Sequence, residues 1–430
     1  MKQIKLLSIL SFLFVSVSGY SQPNGYPVSK VEIRKTGDQY QLWRNGEIYF
    51  IRGAGGDAYM SRIAAYGGNS IRTWSTRNAK SVLDSAQKYG LTVLMGLDVS
   101  RERHGFNYDD TAAVNKQLEK LRAEVLKYKD HPALLAWGIG NELNLQYKNP
   151  KVWDAVNEIS KMIHEVDPNH PTCTVLAGIN KGLIDHIKSR TIDIDLLAIN
   201  TYGGLSTLPA SIKNSGWEGA YMVTEWGPTG HWEGLQTSWK SSIEETSSEK
   251  AAVYKSRYEY GVERDKQHCL GSYVFLWGQK QERTPTWYGV FTEKGEESEV
   301  VDVMQYLWSG NWPENKAPHI YSLRVNKMKA ADNIYLTPNS TFTASAIATD
   351  PDNDKLSFHW ELLPEPTKLS EGGDFEARPK PIENAITPGS NGSATFKTPE
   401  QEGAYRIFVY ITDGNNNVAT ANVPFYIKKN

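Results

Sequence analysis

The sequence has few of the features that mark several large classes of protein. Only two of its 430 residues are cysteines, which excludes a fold held by several disulfides. Its 47 basic and 49 acidic residues nearly balance, so we expect no nucleic-acid partner. Beyond the N-terminus no apolar run approaches the roughly eighteen residues of a membrane-spanning helix, so we also expect no membrane insertion.

Motifs of three enzyme classes are missing as well. The chain has no Gly-x-Ser-x-Gly and no His-Glu-x-x-His, so neither a serine hydrolase nor a zinc peptidase is indicated. Residues 53–58, Gly-Ala-Gly-Gly-Asp-Ala, match a loose dinucleotide-binding pattern. The acidic residue expected about twenty positions further on is missing, because that segment ends in Arg72-Thr73-Trp74. We predict no cofactor and no catalytic metal.

The N-terminus has the pattern of an export signal. Residues 1–5 are basic, and residues 6–17 form an apolar run that is too short to span a bilayer. Small residues follow, and no cysteine lies nearby to carry a lipid anchor. We predict a signal peptide over residues 1–21 and a periplasmic or secreted protein, expected to be monomeric.

Residues 22–313 alternate between strand and helix patterns after a short N-terminal hairpin. Helical spacing is clearest at Val114, Leu118, Leu121 and Val125, behind a capping residue at Asp110 or Thr111. Apolar strands separated by amphipathic helices indicate a parallel sheet covered by helices, and eight units predict an α/β fold, the (β/α)8 TIM barrel. The predicted strands cover residues 48–53, 69–74, 91–99, 134–141, 172–177, 196–202, 221–226 and 271–277.

The alternation ends near residue 308, and residues 312–318 form a Pro-containing linker. From residue 318 to 430, short strand patterns divided by turns predict an immunoglobulin-like β-sandwich with Trp360 in its core. It has no acid/base pair on matched strands, so we predict a supporting role for it. The predicted strands cover residues 341–348, 356–362, 392–396, 405–412 and 418–427.

Two smaller features allow two interpretations each. Asp350, Asp352 and Asp354 could bind calcium through oxygen ligands, or they could form a solvated turn, which the absence of matching glycine and glutamate spacing favours. Cys173 and Cys269 could form one disulfide or remain buried thiols, and the second interpretation is favoured because each begins an apolar stretch.

Two glutamates stand at the ends of apolar strands. Glu142 follows the fourth predicted strand and Glu225 ends the seventh. Barrel enzymes place catalytic groups at the C-terminal ends of their strands. Cleavage of a glycosidic bond needs one neutral carboxyl as proton donor and one ionised carboxylate, so this pair is typical of a glycoside hydrolase.

The sequence motifs around these strands resemble those of glycoside hydrolase clan A, the barrel hydrolases with a glutamate acid/base after strand four and a glutamate nucleophile after strand seven. The resemblance covers residues 30–310. A bare barrel with one trailing immunoglobulin-like domain resembles glycoside hydrolase family 158 most, which implies an endo-β-1,3-glucanase. The motifs that carry it are Asn-Ser-Ile-Arg-Thr-Trp (69–74), Gly-Asn-Glu (140–142), Thr-Glu-Trp-Gly (224–227) and Val-Phe-Leu-Trp (274–277).

The resemblance also assigns roles to single residues. It implies that Glu142 is the acid/base, that Glu225 is the nucleophile of a retaining, double-displacement mechanism, and that Asn141 binds the sugar 2-hydroxyl. One departure concerns the residue two positions before Tyr202, where many clan members have histidine and this chain has Asn200.

Three further residues would complete the site. Arg72 would keep Glu225 ionised, Tyr202 would donate a hydrogen bond to it, and Trp277 would form the floor of the central sugar subsite. The partner is then a polysaccharide or oligosaccharide. Two alternatives remain open at this point: a β-mannanase or β-1,4-glucanase on the same barrel, or a non-catalytic glycan-binding protein.

Overall fold

The computed structural model describes residues 28–369 and 373–429 in two packed units, a barrel and a β-sandwich. The predicted signal peptide, residues 1–21, lies outside the described residues. Eight parallel strands close the barrel in the order in which they occur along the chain, as the strand-helix alternation predicts. These strands are β4 (Ile51–Gly55), β5 (Ser70–Arg72), β6 (Thr92–Leu97), β7 (Leu134–Asn141), β8 (Thr172–Ala177), β9 (Leu196–Asn200), β10 (Tyr221–Trp226) and β11 (Cys269–Val274).

Helices surround the barrel because their apolar faces cover the outer side of strands that are themselves buried. Every residue of β7 and of β10 is buried, so neither strand shows the alternation of a half-exposed sheet. The Asp110 side chain caps its helix by accepting a hydrogen bond from the Ala113 N–H at 3.0 Å. The helices are α1 (Met60–Ala65), α2 (Ala79–Lys88), α3 (Thr111–Tyr128), α4 (Lys151–Val166), α5 (Lys181–Arg190), α6 (Leu208–Ser215), α7 (Ser247–Tyr258) and α8 (Glu299–Ser309).

The N-terminal hairpin is a three-stranded antiparallel sheet of β1 (Val31–Thr36), β2 (Gln39–Arg44) and β3 (Glu47–Ile48). Asn45 and Gly46 form its second turn with φ values of 52° and 87°, the positive values that a tight hairpin turn requires. Because Ile48 pairs with β2, the first barrel strand begins three residues later than predicted, at Ile51.

The sandwich consists of two facing sheets with the strand order of immunoglobulin constant-type domains. The Tyr405 hydroxyl donates to the Gln401 carbonyl at 3.0 Å, the corner contact of such domains. Trp360 lies in the core, as predicted. One sheet contains β13 (His319–Val325), β15 (Thr341–Thr349), β18 (Ser393–Lys397) and β17 (Ile386–Pro388); the other contains β16 (Ser357–Pro364), β19 (Gly403–Thr412) and β20 (Asn417–Ile427), with β12 (Glu297–Ser298) and β14 (Tyr335–Leu336) paired to β20.

The two units share backbone and side-chain hydrogen bonds. The short strand β12 comes from the barrel segment before α8, yet it pairs in parallel with β20 of the sandwich. At the start of α7, the Ser247 hydroxyl accepts from the Thr420 N–H and the Ser248 hydroxyl accepts from the Ile320 N–H, both at 2.9 Å. The sandwich is therefore held by many polar contacts that need defined partners, which fixes how it lies against the barrel.

Both cysteines are buried free thiols, so the interpretation without a disulfide is confirmed. Across the described ranges, no helix combines the length and apolar character needed to cross a membrane.

The cluster of acidic residues in the sandwich contains Asp413 in place of the predicted Asp352. Carboxylate oxygens of Asp350, Asp354 and Asp413 lie within 4.8 Å of one another. Asp352 is oriented differently and accepts a hydrogen bond from the Lys316 N–H at 2.7 Å. Three clustered acids of this kind are also common in turns without an ion, so both interpretations stay open.

Candidate active site

Glu142 is directed into the barrel mouth by an irregularity at the end of β7. The pairing of β7 with β8 shifts register between Ile139 and Asn141, which is a β-bulge. Gly140 has a φ of 72°, and a side chain there would collide with Leu143 at 2.6 Å. Glu142 itself has a φ of 53°, a backbone conformation that costs a non-glycine residue roughly 1 kcal/mol or more. Such strain is typical of functional positions.

Glu225 is directed inward in the same way. The pairing of β10 with β9 shifts register between Val223 and Glu225, and Glu225 is only 7% exposed. Its Oε1 accepts from an Arg72 guanidinium nitrogen at 2.9 Å and from the Trp74 indole N–H at 2.8 Å, and its Oε2 accepts from the Tyr202 hydroxyl at 3.2 Å. Three donors therefore fix the position of the Glu225 carboxylate.

Arg72 holds several groups of the site in place. It ends β5, is 2% exposed, and donates to Asn141 Oδ1 at 2.6 Å and to the Thr224 carbonyl at 2.7 Å, in addition to Glu225. Because a guanidinium presents its donors in a rigid plane, Arg72 fixes the relative positions of the C-terminal ends of β7 and β10.

Asn200 connects the two glutamates from the end of β9. Its amide nitrogen donates to Glu142 Oε1 at 3.0 Å, and its amide oxygen accepts from the Thr224 hydroxyl at 2.9 Å and from Arg72 at 3.3 Å. Two donors at the amide oxygen and one acceptor at the amide nitrogen thus fix the orientation of the Asn200 side chain. Asparagine here performs a positioning role at the point where the chain departs from the clan pattern.

The two carboxyl groups differ in their electrostatic surroundings. Burial and then the negative charge of Glu225 raise the pKa of Glu142 to about 7, although the Asn200 hydrogen bond and the charges of Arg103 and Arg72 act in the opposite direction. Glu142 is therefore partly protonated at neutral pH, whereas Glu225 lies against the arginine. Two neighbouring carboxyl groups in such unlike surroundings form an arrangement that acid–base chemistry can use.

A cavity of about 340 Å³ contains both carboxylates. Trp74, Tyr202, Trp232, Phe275 and Tyr288 supply aromatic surface to it, and such surfaces stack on the C–H faces of sugars. Its remaining lining residues are Arg101, Asn141, Leu276, Lys280, Glu282, Gly373 and Asp374.

Trp277 does not line this cavity, so its prediction as the floor of a sugar subsite is wrong. It is fully buried and packs between Phe291 and Trp308, with ring centroids 5.1 and 5.3 Å away. It lies three residues beyond the end of β11 at Val274, and its ring partner Trp308 belongs to helix α8. Phe275 and Leu276 are the residues of this segment that line the cavity.

Of the predicted site residues, the structure brings together Arg72, Asn141, Glu142, Tyr202 and Glu225. Sequence reasoning missed the contacts of Trp74 and Asn200 with the two glutamates. Both residues stand at or just beyond the C-terminal end of a barrel strand, which was the signal available.

The prediction of a purely supporting sandwich also needs correction. Two of its residues, Gly373 and Asp374, line the cavity that contains the carboxylates. They lie in a polar connection between β16 and β17, where neither periodicity nor a motif pointed to the barrel.

Comparison with known proteins yields fold-level likeness only. No protein-family model matches the chain, and no curated protein matches it. Among solved structures it is similar to a β-glucuronidase of Bacteroides uniformis, with 15% identity, a TM-score of 0.52, and coverage of 93% of this chain and 48% of the other. It is also similar to β-glucuronidases of Faecalibacterium prausnitzii and Bifidobacterium dentium, each with 18% identity; the TM-scores are 0.52 and 0.51, and coverage is 65% and 66% of this chain and 52% and 49% of theirs.

The chain thus spans about half the length of these structures. At such low identity the likeness shows the fold alone, a (β/α)8 barrel with a β-sandwich.

Proposed function

We propose that this chain is a retaining β-glycosidase in which Glu142 is the acid/base and Glu225 the nucleophile. The observation that carries the proposal is the unequal pair itself: one glutamate held by Arg72, Trp74 and Tyr202, and the other with its pKa raised to about 7, both in one aromatic-lined cavity. The likeness to solved β-glucuronidases supports it at the level of architecture.

In the first step, Glu142 gives its proton to the glycosidic oxygen while a Glu225 oxygen attacks the anomeric carbon. The C–O bond to the leaving group breaks, the leaving group departs as an alcohol, and a covalent glycosyl ester forms on Glu225. Asn141, whose Oδ1 accepts from Arg72, would bind the sugar 2-hydroxyl, as the resemblance implies.

In the second step, the negative charge of Glu225 is absent because the residue is esterified. The pKa of Glu142 is then lower, so its carboxylate can accept a proton from water that attacks the anomeric carbon. The ester bond breaks, Glu225 regains its charge, and the sugar leaves with its original β configuration.

The substrate class is proposed to be β-glucan, with β-1,3-linked chains as the first candidate, as the resemblance to family 158 implies. The resemblance also implies an endo mode of cleavage, which we propose for this chain. Export to the periplasm or the medium is the proposed location, and it would bring the enzyme to such polysaccharides.

Hydrolysis of laminarin, mannan, carboxymethylcellulose and an aryl β-glucuronide by the wild-type protein separates the candidates. Preferred cleavage of laminarin supports the β-1,3-glucanase assignment, and preferred cleavage of mannan or carboxymethylcellulose moves the substrate to another glycan on the same machinery. Binding of these glycans without any release of reducing sugar would favour a non-catalytic glycan-binding protein and contradict the proposal.

A further inference from the structure

A second, larger cavity adjoins the one that contains both carboxylates. Its volume is about 920 Å³, more than twice the 340 Å³ of the first, and residues of both the barrel and the sandwich line it. Glu142, Tyr202 and Trp232 line both cavities, whereas Glu225 lines only the smaller one. The two spaces therefore meet at Glu142.

The proposed mechanism assigns a different part of the substrate to each cavity. The acid/base protonates the oxygen of the leaving group, and the nucleophile attacks the anomeric carbon of the sugar that stays on the enzyme. The cavity with Glu225 therefore holds the sugar on the non-reducing side of the cleaved bond. The larger cavity, which Glu142 lines without Glu225, is on the side of the leaving group, the reducing-side part of the chain.

The segment between β10 and α7 supplies much of the barrel side of the larger cavity. Trp232 of this segment is 57% exposed, and its ring packs against Tyr202 with ring centroids 5.5 Å apart. The Glu233 carboxylate accepts from the Gly203 and Gly230 N–H groups, both at 2.9 Å, which ties the segment to the residues after β9. A fixed, half-exposed aromatic ring beside the acid/base is suited to stack against the first sugar of the leaving group.

Sandwich residues form another wall of the larger cavity, and buried polar contacts hold them against the barrel. Arg406 of β19 is 2% exposed and donates to the Ser242 carbonyl of the barrel at 2.7 Å and to the Glu365 carboxylate at 2.9 Å. Tyr405 packs in the sandwich core, so its neighbour Ala404 faces away from that core and lines the cavity. Because the buried guanidinium needs these partners, this wall is a preformed part of the cavity.

The charged groups of the larger cavity balance one another. The residues that line it include three acids and three bases: Glu142, Glu233 and Glu365, and Lys240, Arg283 and Arg406. A uronide chain, which carries a negative charge on each sugar, would gain little from such a lining. The cavity is therefore better suited to an uncharged glucan.

We propose that the larger cavity binds the sugars on the reducing side of the cleaved bond and that the sandwich contributes one of its walls. This inference rests on the proposed glycosidase function. The three residues that line both cavities all belong to the barrel, so the sandwich residues would contact sugars beyond the first one of the leaving group. A glucan that fills both cavities is cut inside its chain, in agreement with the endo mode proposed above.

The first test is the early product pattern of laminarihexaose and cellohexaose labelled at the reducing end, with an aryl β-glucoside as a separate measure of glycosidase activity. The length of a labelled product equals the number of sugars on the reducing side when the bond was cut. We expect most early labelled products to contain two or more sugars. Labelled glucose alone, or cleavage of only the aryl glucoside, would overturn the inference and leave the glycosidase function intact. No cleavage of any of the three probes would contradict the glycosidase function, and the inference would fail with it.

Blocking variants test the part played by the sandwich. Ala404→Phe places a large side chain on the cavity face of β19, where it should displace the sugars beyond the first. The ratio of labelled products with two or more sugars to labelled glucose should fall about fivefold to tenfold, the change expected when one sugar unit loses its contacts. Thr367→Trp, at an exposed position of the same wall, leaves β19 intact and should lower the ratio as well.

The matched control is Thr343→Phe, on the exposed face of β15 and outside both cavities, which should keep the wild-type ratio. Circular dichroism checks that each variant is folded. A wild-type ratio in a folded blocking variant would overturn the role of the sandwich in binding the glucan.

Discussion

Two groups of buried acids in this molecule differ in how their charges are balanced. At the barrel mouth, Arg72 forms an ion pair with Glu225, and the charges of Arg103 and Arg72 both act on the neighbouring Glu142. Beneath the sandwich, Glu244 is bonded to the Lys250 ammonium and also accepts from Asn422 of β20 at 2.6 Å. The first group places two acids beside each other, whereas the second pairs its acid with a cation.

This difference moves the two pKa values in opposite directions. Burial acts against the charged form of both residues, yet the Lys250 charge and hydrogen bonds outweigh it and lower the pKa of Glu244. At Glu142 the Glu225 charge adds to burial and raises the pKa to about 7. Burial alone therefore does not make an acid reactive; the charge of its nearest neighbours decides.

A raised pKa by itself does not identify the site either. Chiefly through burial, Asp302 in α8 also has its pKa raised to about 7, and its carboxylate accepts from the Ala317 N–H at 2.7 Å. It lines none of the cavities described above. What distinguishes Glu142 is a second carboxylate beside it in an accessible, aromatic-lined space.

The largest effect is expected from removing the nucleophile. Glu225→Ala should lower kcat by about 10⁴-fold or more, roughly 5.5 kcal/mol of barrier, because no covalent intermediate can form. The fold should persist, since Arg72 keeps its bonds to Asn141 and Thr224. Azide with an activated aryl β-glycoside should restore part of the rate and give an α-configured product. Turnover within tenfold of wild type would remove Glu225 from the mechanism.

Removing the proton donor should have a smaller and substrate-dependent effect. Glu142→Gln should lower turnover of natural glucan by about 10² to 10⁴-fold. Formation of the glycosyl-enzyme from a dinitrophenyl glycoside should fall much less, because that leaving group departs without protonation. Pre-steady-state kinetics on both substrates measures the difference. Equal losses on the two would show that Glu142 is not the acid.

Removal of Glu244, the buried acid beneath the sandwich, should lower the stability of the protein and leave its catalytic rate nearly unchanged. Glu244→Ala leaves the Lys250 ammonium buried without its carboxylate, which should reduce the free energy of unfolding by about 3 to 5 kcal/mol. Because the pKa of Glu244 is lowered in the fold, its contribution is present above the unfolded value near 4.3 and is lost at lower pH. Urea unfolding at pH 7 and pH 3, with exposed Glu383→Gln as control, tests this; equal losses at both pH values would contradict it.

The smallest expected effect is on stability at Glu142, and its pH dependence is opposite to that of Glu244. With its pKa raised to about 7, Glu142 holds its proton in the fold and loses it in the unfolded chain between pH 4.3 and 7, so stability falls as pH rises through that window. Glu142→Gln should therefore stabilise the protein by roughly 1 to 2 kcal/mol at pH 8 and by much less at pH 4. Thermal unfolding at the two pH values measures it, and a variant less stable than wild type at pH 8 would contradict the electrostatic account.

These contrasts also explain what the sequence could predict. The barrel strands were predictable because they are apolar runs buried on both sides, and Glu142 and Glu225 because they end two of them. The full burial of Trp277 was not predictable, because it depends on the path of the chain after β11. The position of Gly373 and Asp374 beside the cavity was not predictable either. It depends on contacts between segments about a hundred or more residues apart, and no local sequence pattern marks them.

The account depends most on the assignment of acid and nucleophile to one retaining pair. Proton NMR of the sugar released in the first minutes of hydrolysis by the wild-type enzyme tests it directly, because mutarotation is slow enough to leave the initial anomer visible. We predict that the β-anomer appears first and the α-anomer accumulates only later. Initial release of the α-anomer would show single displacement by water and would contradict Glu225 as the nucleophile.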